Sequence, residues 1–218
     1  MIIFAGPSGV GKGTILKELV NDKELNLVYS VSMTTRAPRE GEIDGVSYFF
    51  VDKAEFERAI ENNELLEYAC YVDNYYGTPK QYVEKKRNEG YNVILEIETV
   101  GAEKVMDMYK NDVTSIYLVP PDMEELEHRL RGRGTESEEK IAKRILTARA
   151  ELQKLDKFKY VVVNDDISET VKKASRKLIL KTTKAILFIL PWIQSSQLNR
   201  MPINTTRFMP RKEKVSAI

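Results

Sequence analysis

The 218-residue chain has one cysteine (Cys70), one histidine (His128) and one tryptophan. A single cysteine excludes an intrachain disulfide and argues against a thiolate metal cluster. It suits a reducing compartment. A single histidine excludes mechanisms built on histidine pairs. Neither residue lies in a motif, so both read as structural. Long apolar runs are also missing. The N-terminal Ile2-Ile3-Phe4-Ala5 has no basic flank and no extended apolar stretch, so no export signal is expected. The longest late run, 185–193, holds nine residues including Pro191, against about 20 needed to span a bilayer. A cytoplasmic protein without a transmembrane segment is the expectation.

Acid is nearly absent from one end only. Residues 171–218 carry 11 Lys+Arg against 1 Asp+Glu, whereas residues 1–170 carry 23 against 32. The body is therefore acidic and is not expected to bind nucleic acid; any anion it holds must be gripped by locally placed cations. Beyond Lys181 the chain shows no helical stripe and contains Pro191, Pro202 and Pro210. Residues 182–218 are expected to be a disordered basic tail, with a membrane-surface anchor around 181–192 as the alternative.

What remains is a regular alternation. Ile2–Ala5, Val93–Leu95, Ser115–Val119 and Tyr160–Val163 read as short buried strands. The segments after them read as helices, including one that places Ile15, Leu16, Leu19 and Val20 on one face. Residues 28–51 look extended and turn-rich. Ala54–Asn62 reads as a helix, Leu65–Val72 as a strand, and Asp73-Asn74 with Gly77 as a turn. Pro79 opens a helix that Gly90 closes. Asp122 caps another, with Glu125 in the capping-box position. A long helix is expected from Ser137 to Leu155, and a last one from Ser168. Strands alternating with helices predict an α/β fold with a parallel core sheet.

Between the first strand and helix lies Gly6-Pro7-Ser8-Gly9-Val10-Gly11-Lys12-Gly13-Thr14. A glycine-rich loop there turns successive N–H groups toward phosphate oxygens, the helix N-terminus adds positive potential, and Lys12 reaches the β/γ-phosphates. The pattern wants Ser or Thr directly after the lysine; here Gly13 intervenes before Thr14. The competing reading is a plain glycine turn with an exposed lysine.

The segment Ser30 to Val51, with Thr34-Thr35-Arg36, Arg39, Glu42, Gly45, Tyr48 and Phe50, resembles the signature of the guanylate kinase family. Glu67-Tyr68, Asn74 to Thr78, Leu95 to Glu98, Gly132 to Glu136 and Val163 to Asp166 are similar to further blocks of that family. The resemblance spans residues 2 to about 180. It implies a P-loop kinase with a core (1–31, 81–121, 153–181), a GMP-binding lobe (32–80) and a helical lid (122–152) that close over two nucleotides. The implied activity is ATP + GMP → ADP + GDP, in purine nucleotide metabolism, by in-line transfer with Mg²⁺. The implied substrates are ATP, GMP and dGMP. A monophosphate is already an anionic nucleophile, so such a transfer needs positioning and charge stabilisation rather than a base.

By the same resemblance, Arg36, Arg39, Tyr48 and Tyr76 grip the GMP phosphate, while Glu67 and Glu98, with Ser32 and Thr78, read guanine. A carboxylate accepts from guanine N1–H and N2–H₂ but repels the bare N1 of adenine. Lys12, Arg133 and Arg144 clamp the transferred group alongside Arg36. Glu96 would orient Mg²⁺-bound water, and Asn164 would lie at the adenine edge. Val100 stands where a glutamine is expected. Arg129, Arg131 and Lys143 could equally be solvated helix charges. A non-catalytic scaffold domain that binds phosphopeptides is the alternative, against which Lys12, Arg133 and Arg144 all speak. A kinase for another monophosphate is the third reading, opposed by Glu67 and Glu98.

Overall fold

The computed structural model describes residues 1–71, 73–132 and 137–179, within a unit spanning Met1–Lys181. The expectations for Arg133 and for the segment 182–218 lie outside the described residues.

Five short strands form the core sheet: β1 (Ile2–Ala5), β2 (Leu27–Tyr29), β7 (Asn92–Glu96), β8 (Thr114–Val119) and β9 (Tyr160–Val163). Their order is β2-β7-β1-β8-β9, every pair parallel, with β1 in the middle. Strands covered on both faces carry apolar residues at both parities, and β1 shows why. Ile2 and Phe4 join the cluster that includes Ile15, Leu16 and Leu19 of α1 (Lys12–Asn21) and Leu126 and Leu130 of α5 (Met123–Arg131). Ile3 and Ala5 join the opposite cluster, with Val83 of α3 (Lys80–Asn88) and Ala102 and Val105 of α4 (Thr99–Tyr109). Ile141 and Ala148 of α6 (Glu138–Leu152) and Ala174 and Leu178 of a final helix, α7 (167–179), complete the first cluster.

A second sheet has the order β4-β3-β6-β5, from β3 (Met33–Thr34), β4 (Phe49–Phe50), β5 (Leu65–Tyr71) and β6 (Asn74–Pro79). It is antiparallel except between β3 and β4. Helix α2 (Lys53–Glu61) starts where Asp52 accepts the Glu55 amide at 2.7 Å, and α5 starts where Asp122 accepts the Glu125 amide at 2.7 Å. Each such cap is worth about 1 kcal/mol. The turn expected at Gly77 is not there. Gly77 sits inside β6, paired with Met33 and Tyr68. A Cβ would come within 3.0 Å of the Leu65 and Phe56 side chains, so glycine here serves close packing. The turn lies at Asp73, within the expected segment, where φ of 61° is left-handed, and Asn74 already begins β6. The long helix ends at Leu152 rather than Leu155, because residues 155–157 tighten into a 3₁₀ turn. Among the described residues no helix is long and apolar enough to cross a membrane.

Candidate active site

The glycine loop leaves the C-terminal end of the central strand and feeds α1. The Lys12 ammonium folds back over the loop and donates to the carbonyls of Gly6 (2.7 Å) and Pro7 (3.2 Å). Gly11 has φ 93°, and a Cβ there would lie 2.6 Å from Asn164 Nδ2. Asn164 is buried, and its amide nitrogen donates to the Val10 carbonyl at 2.7 Å, while its Oδ1 has no hydrogen-bond partner among the described residues. The structure thus places Asn164 behind the loop, holding its backbone. Gly9 makes room for Leu130, whose Cδ2 would be 2.7 Å from a Cβ. Arg129 closes this wall: Nε donates to Glu125 (2.7 Å) and Nη1 to the Asn164 carbonyl (3.1 Å). Its sequence left open a solvated role; its bonds tie α5 to the loop.

From α6, Arg144 Nη1 donates to Ser8 Oγ at 3.0 Å, so a second cation already touches the loop. Seven residues on, the same helix brings Glu151, which accepts from Thr99 Oγ1 at 3.2 Å. Burial pushes the Glu151 carboxyl up. The Thr99 bond and Lys12 oppose this, and Glu98 adds to it. Glu151 therefore lies within electrostatic reach of the loop lysine and of the N-terminus of α4. Nothing in the sequence marks it except its helical spacing from Arg144.

Glu96 ends β7 beside the loop. It is solvent-accessible, yet the cleft walls strip enough water to push its carboxyl up, against the pull of Lys12. Its charge is also felt by Tyr48, across the cleft. Among the described residues no cluster of three or more His, Cys, Asp or Glu side chains could hold a metal ion alone.

The small lobe carries two further groups of side chains. Glu67 is buried on β5, and its Oε1 accepts from Thr78 Oγ1 at 2.5 Å. Desolvation raises its pKa; the Thr78 bond lowers it, Glu98 raises it and Lys104 lowers it. Gly101 of α4 backs this carboxylate, since a Cβ there would lie 2.7 Å from Glu67 Oε2. Glu98 sits at the N-cap of α4 without a side-chain capping bond. The second group gathers Arg36, Tyr48, Phe50 and Tyr76. The Arg36 guanidinium carbon lies 5.5 Å from the Tyr48 ring and 5.9 Å from the Phe50 ring, and Tyr48 meets Tyr76 edge-on at 6.1 Å. Arg39 is exposed on the adjoining turn. Ser32 is half-buried, and its carbonyl accepts the Phe49 amide at 2.8 Å. Val100, at the expected glutamine position, is exposed.

A buried carboxylate, a cluster of aromatic and cationic groups, and a glycine loop with lysine and arginine are thus tied by electrostatic reach: Glu98 acts on both Glu67 and Glu151, Lys12 on Glu96 and Glu151, and Glu96 on Tyr48. Such a site can hold two anionic ligands and shield one group between them. A family model described as guanylate kinase matches residues 1–180. A guanylate kinase of Mesoplasma florum is 56% identical over 179 residues, covering 82% of this chain and 60% of the relative. A guanylate kinase of Mycoplasma capricolum is 52% identical over 181 residues, covering 83% and 61%. The chain thus spans about 60% of the length of these curated relatives. The crystal structure of guanylate kinase from Anaplasma phagocytophilum is similar with a TM-score of 0.65, at 36% identity, covering 83% of this chain and 85% of that one.

Proposed function

The chain belongs to the guanylate kinase family, and on that footing we propose that it transfers the terminal phosphate of ATP to GMP. The observation that carries this reading is the Glu67 carboxylate, buried, bonded to Thr78 and flanked by Glu98 in the lobe facing a phosphate loop. A desolvated carboxylate there must find donors, and guanine supplies two side by side on one edge, at N1 and at the amino group on C2. Adenine, with an acceptor at N1, leaves the carboxylate unpaired, which is the costly outcome.

In this reading Arg36, Arg39, Tyr48 and Tyr76 receive the acceptor phosphate. Lys12 gives up the Gly6 and Pro7 carbonyls for phosphate oxygens of the donor, and Arg144 does the same from Ser8. Arg133 joins from the segment after α5. Asn164 and Arg129 keep the loop's main chain in shape while these side chains move. Closure excludes water, and the fixed cations then act in a medium where they stabilise developing charge strongly. No side chain has to remove a proton, because the attacking oxygen of GMP is already ionised.

The residues fit a Mg²⁺ that arrives with ATP. Glu96 would hold its water and Thr14 lies on the first turn of α1, while Gly13 leaves no hydroxyl directly after the lysine. Such an ion would supply positive charge to offset that of the phosphate groups. Lys12 on the loop and Arg144, which reaches it from α6, support catalysis over a phosphopeptide scaffold. We assign the reaction to purine nucleotide metabolism in the cytoplasm, with dGMP as a second acceptor, since no residue is assigned to the ribose 2′-hydroxyl. A coupled assay with ATP and each of GMP, dGMP, AMP, UMP and CMP tests this. Turnover should be confined to the guanine nucleotides; equal turnover of AMP would overturn the reading.

A further inference from the structure

The loop that carries both acceptor arginines is closed by one carboxylate. Glu42 ends a turn in which its own amide bonds to the Arg39 carbonyl at 3.1 Å. Its side chain reaches back: Arg36 Nη2 donates to Oε1 at 2.8 Å and to Oε2 at 2.9 Å, and the Arg39 amide donates to Oε2 at 2.7 Å. Arg36 Nη1 is held separately by the Ala37 carbonyl at 2.7 Å. Both side chains of the pair are largely withdrawn from solvent, at 14% and 21% exposure. An arginine carries five N–H donors in a rigid fork. Here Glu42 takes two bonds from Nη2, Ala37 takes one from Nη1, Tyr76 adds a side-chain hydrogen bond, and the Tyr48 and Phe50 rings lie beside the guanidinium.

We propose that Glu42 is a positioning residue for the acceptor phosphate, fixing the Arg36 fork and the Arg39 main chain so that their remaining donors converge on one anion. This inference rests on the reading of the small lobe as the GMP site. It has a sign that simple electrostatics does not. A carboxylate beside a phosphate site repels the phosphate, and its removal on Coulombic grounds alone tightens anion binding. Positioning predicts the reverse. Without Glu42 the long Arg36 side chain regains rotamer freedom and the Arg39 amide loses its acceptor, so the phosphate must reorder both when it binds.

The test uses the full chain, with GMP and guanosine titrated by calorimetry into wild type, Glu42→Ala and Glu42→Gln. Glu42→Ala should weaken GMP by about tenfold or more, the scale of a lost charge-assisted bond. Guanosine, which lacks the phosphate, and ATP should bind as in wild type. Glu42→Gln keeps one acceptor oxygen and should fall between the two. It also keeps the proposal testable if the alanine variant folds poorly. Unchanged or tighter GMP binding in a folded variant overturns the role of Glu42, as does an equal loss for guanosine. If wild type itself fails to bind GMP, the acceptor-site reading falls and this inference with it.

Discussion

The Thr78 hydroxyl is hydrogen-bonded to the Glu67 carboxylate at 2.5 Å, inside a part of the lobe that water scarcely reaches. One hydrogen bond does not repay the burial of that charge, so the Glu67 pKa stands above its ordinary 4.5. In the pH window between 4.5 and the raised value, the folded protein holds a proton that the unfolded chain has released. Stability contributed by this group therefore falls as pH rises through that window, and the full cost persists above it. Glu67→Gln should melt at or above wild type at pH 7. It should also lose GMP binding by roughly 1.5–3 kcal/mol, because an amide places a donor against guanine donors. Thermal unfolding and a GMP titration on the same sample check both halves.

The wild-type pH profile follows from the same carboxyl. If Glu67 reads guanine as proposed, it must be ionised to do so, and KM for GMP should begin to rise, on acidification, at a higher pH than an ordinary glutamate would cause. KM for ATP should not follow it. A parallel rise in both constants would place the titrating group elsewhere, with Glu96 and Glu151 as the next carboxyls to examine.

Gly101 offers a steric test of the same pocket. Replacing a helix-interior glycine by alanine ordinarily stabilises by about 1 kcal/mol. Here the new methyl group would stand 2.7 Å from Glu67 Oε2. The carboxylate ends a flexible side chain, so Gly101→Ala should fold, with Glu67 displaced. We expect KM for GMP to rise about tenfold or more, as misplacement of this size does elsewhere, with the melting temperature little changed. Unchanged GMP kinetics would show that Glu67 has room to spare.

Lys12→Ala should lower kcat by about 10²–10³ or more. Its fold should survive, because the residue is only part-buried and serves the loop's own carbonyls at 2.7 and 3.2 Å. Stopped-flow or coupled turnover beside a circular-dichroism melt decides this. Near-normal turnover by a folded variant removes the loop from the chemistry.

Asn164→Asp reverses the polarity of the bond to Val10. The new carboxylate oxygen faces a carbonyl at 2.7 Å where an N–H stood. A cost of about 1–3 kcal/mol is expected in denaturant unfolding, together with weaker ATP binding as the loop loses its support. Full stability in the aspartate variant would mean the Val10 carbonyl has another donor, with Arg129 Nη1 at 3.5 Å the candidate.

The sequence was most informative where function is written locally. The loop from Gly6 to Thr14 and the segment from Thr34 to Phe50 are contiguous, so their proposed roles can be read from spacing alone. Strands β1, β7 and β8 were legible because a strand buried on both faces has apolar residues at both parities, and β9 was legible from its apolar run although Val161 and Val163 are exposed. Residues whose roles come from distant partners were not. Thr99 and Glu151 are 52 positions apart, and Asn164 and Val10 are 154 apart. Gly77 was misread for the same reason. Locally it resembles a turn glycine, and only the Leu65 and Phe56 side chains packed beside it show otherwise. The very short strands β3 and β4 are set by pairing within the lobe, which local periodicity cannot report at two residues each.

Strand β7 lies beside β1 with Phe4 paired to Glu96. The phosphate loop begins two residues after Phe4, and the acids of β7 and α4 begin at Glu96. Adjacent strands are held about 4.8 Å apart by main-chain hydrogen bonds whatever side chains they carry. The separation between the loop and this row of carboxylates is thus set by peptide geometry rather than by the size of the core residues. An exchange among Ile, Val and Leu in β1 or β7 would disturb the packing of the core without changing the length of the ruler between the two ends of the site.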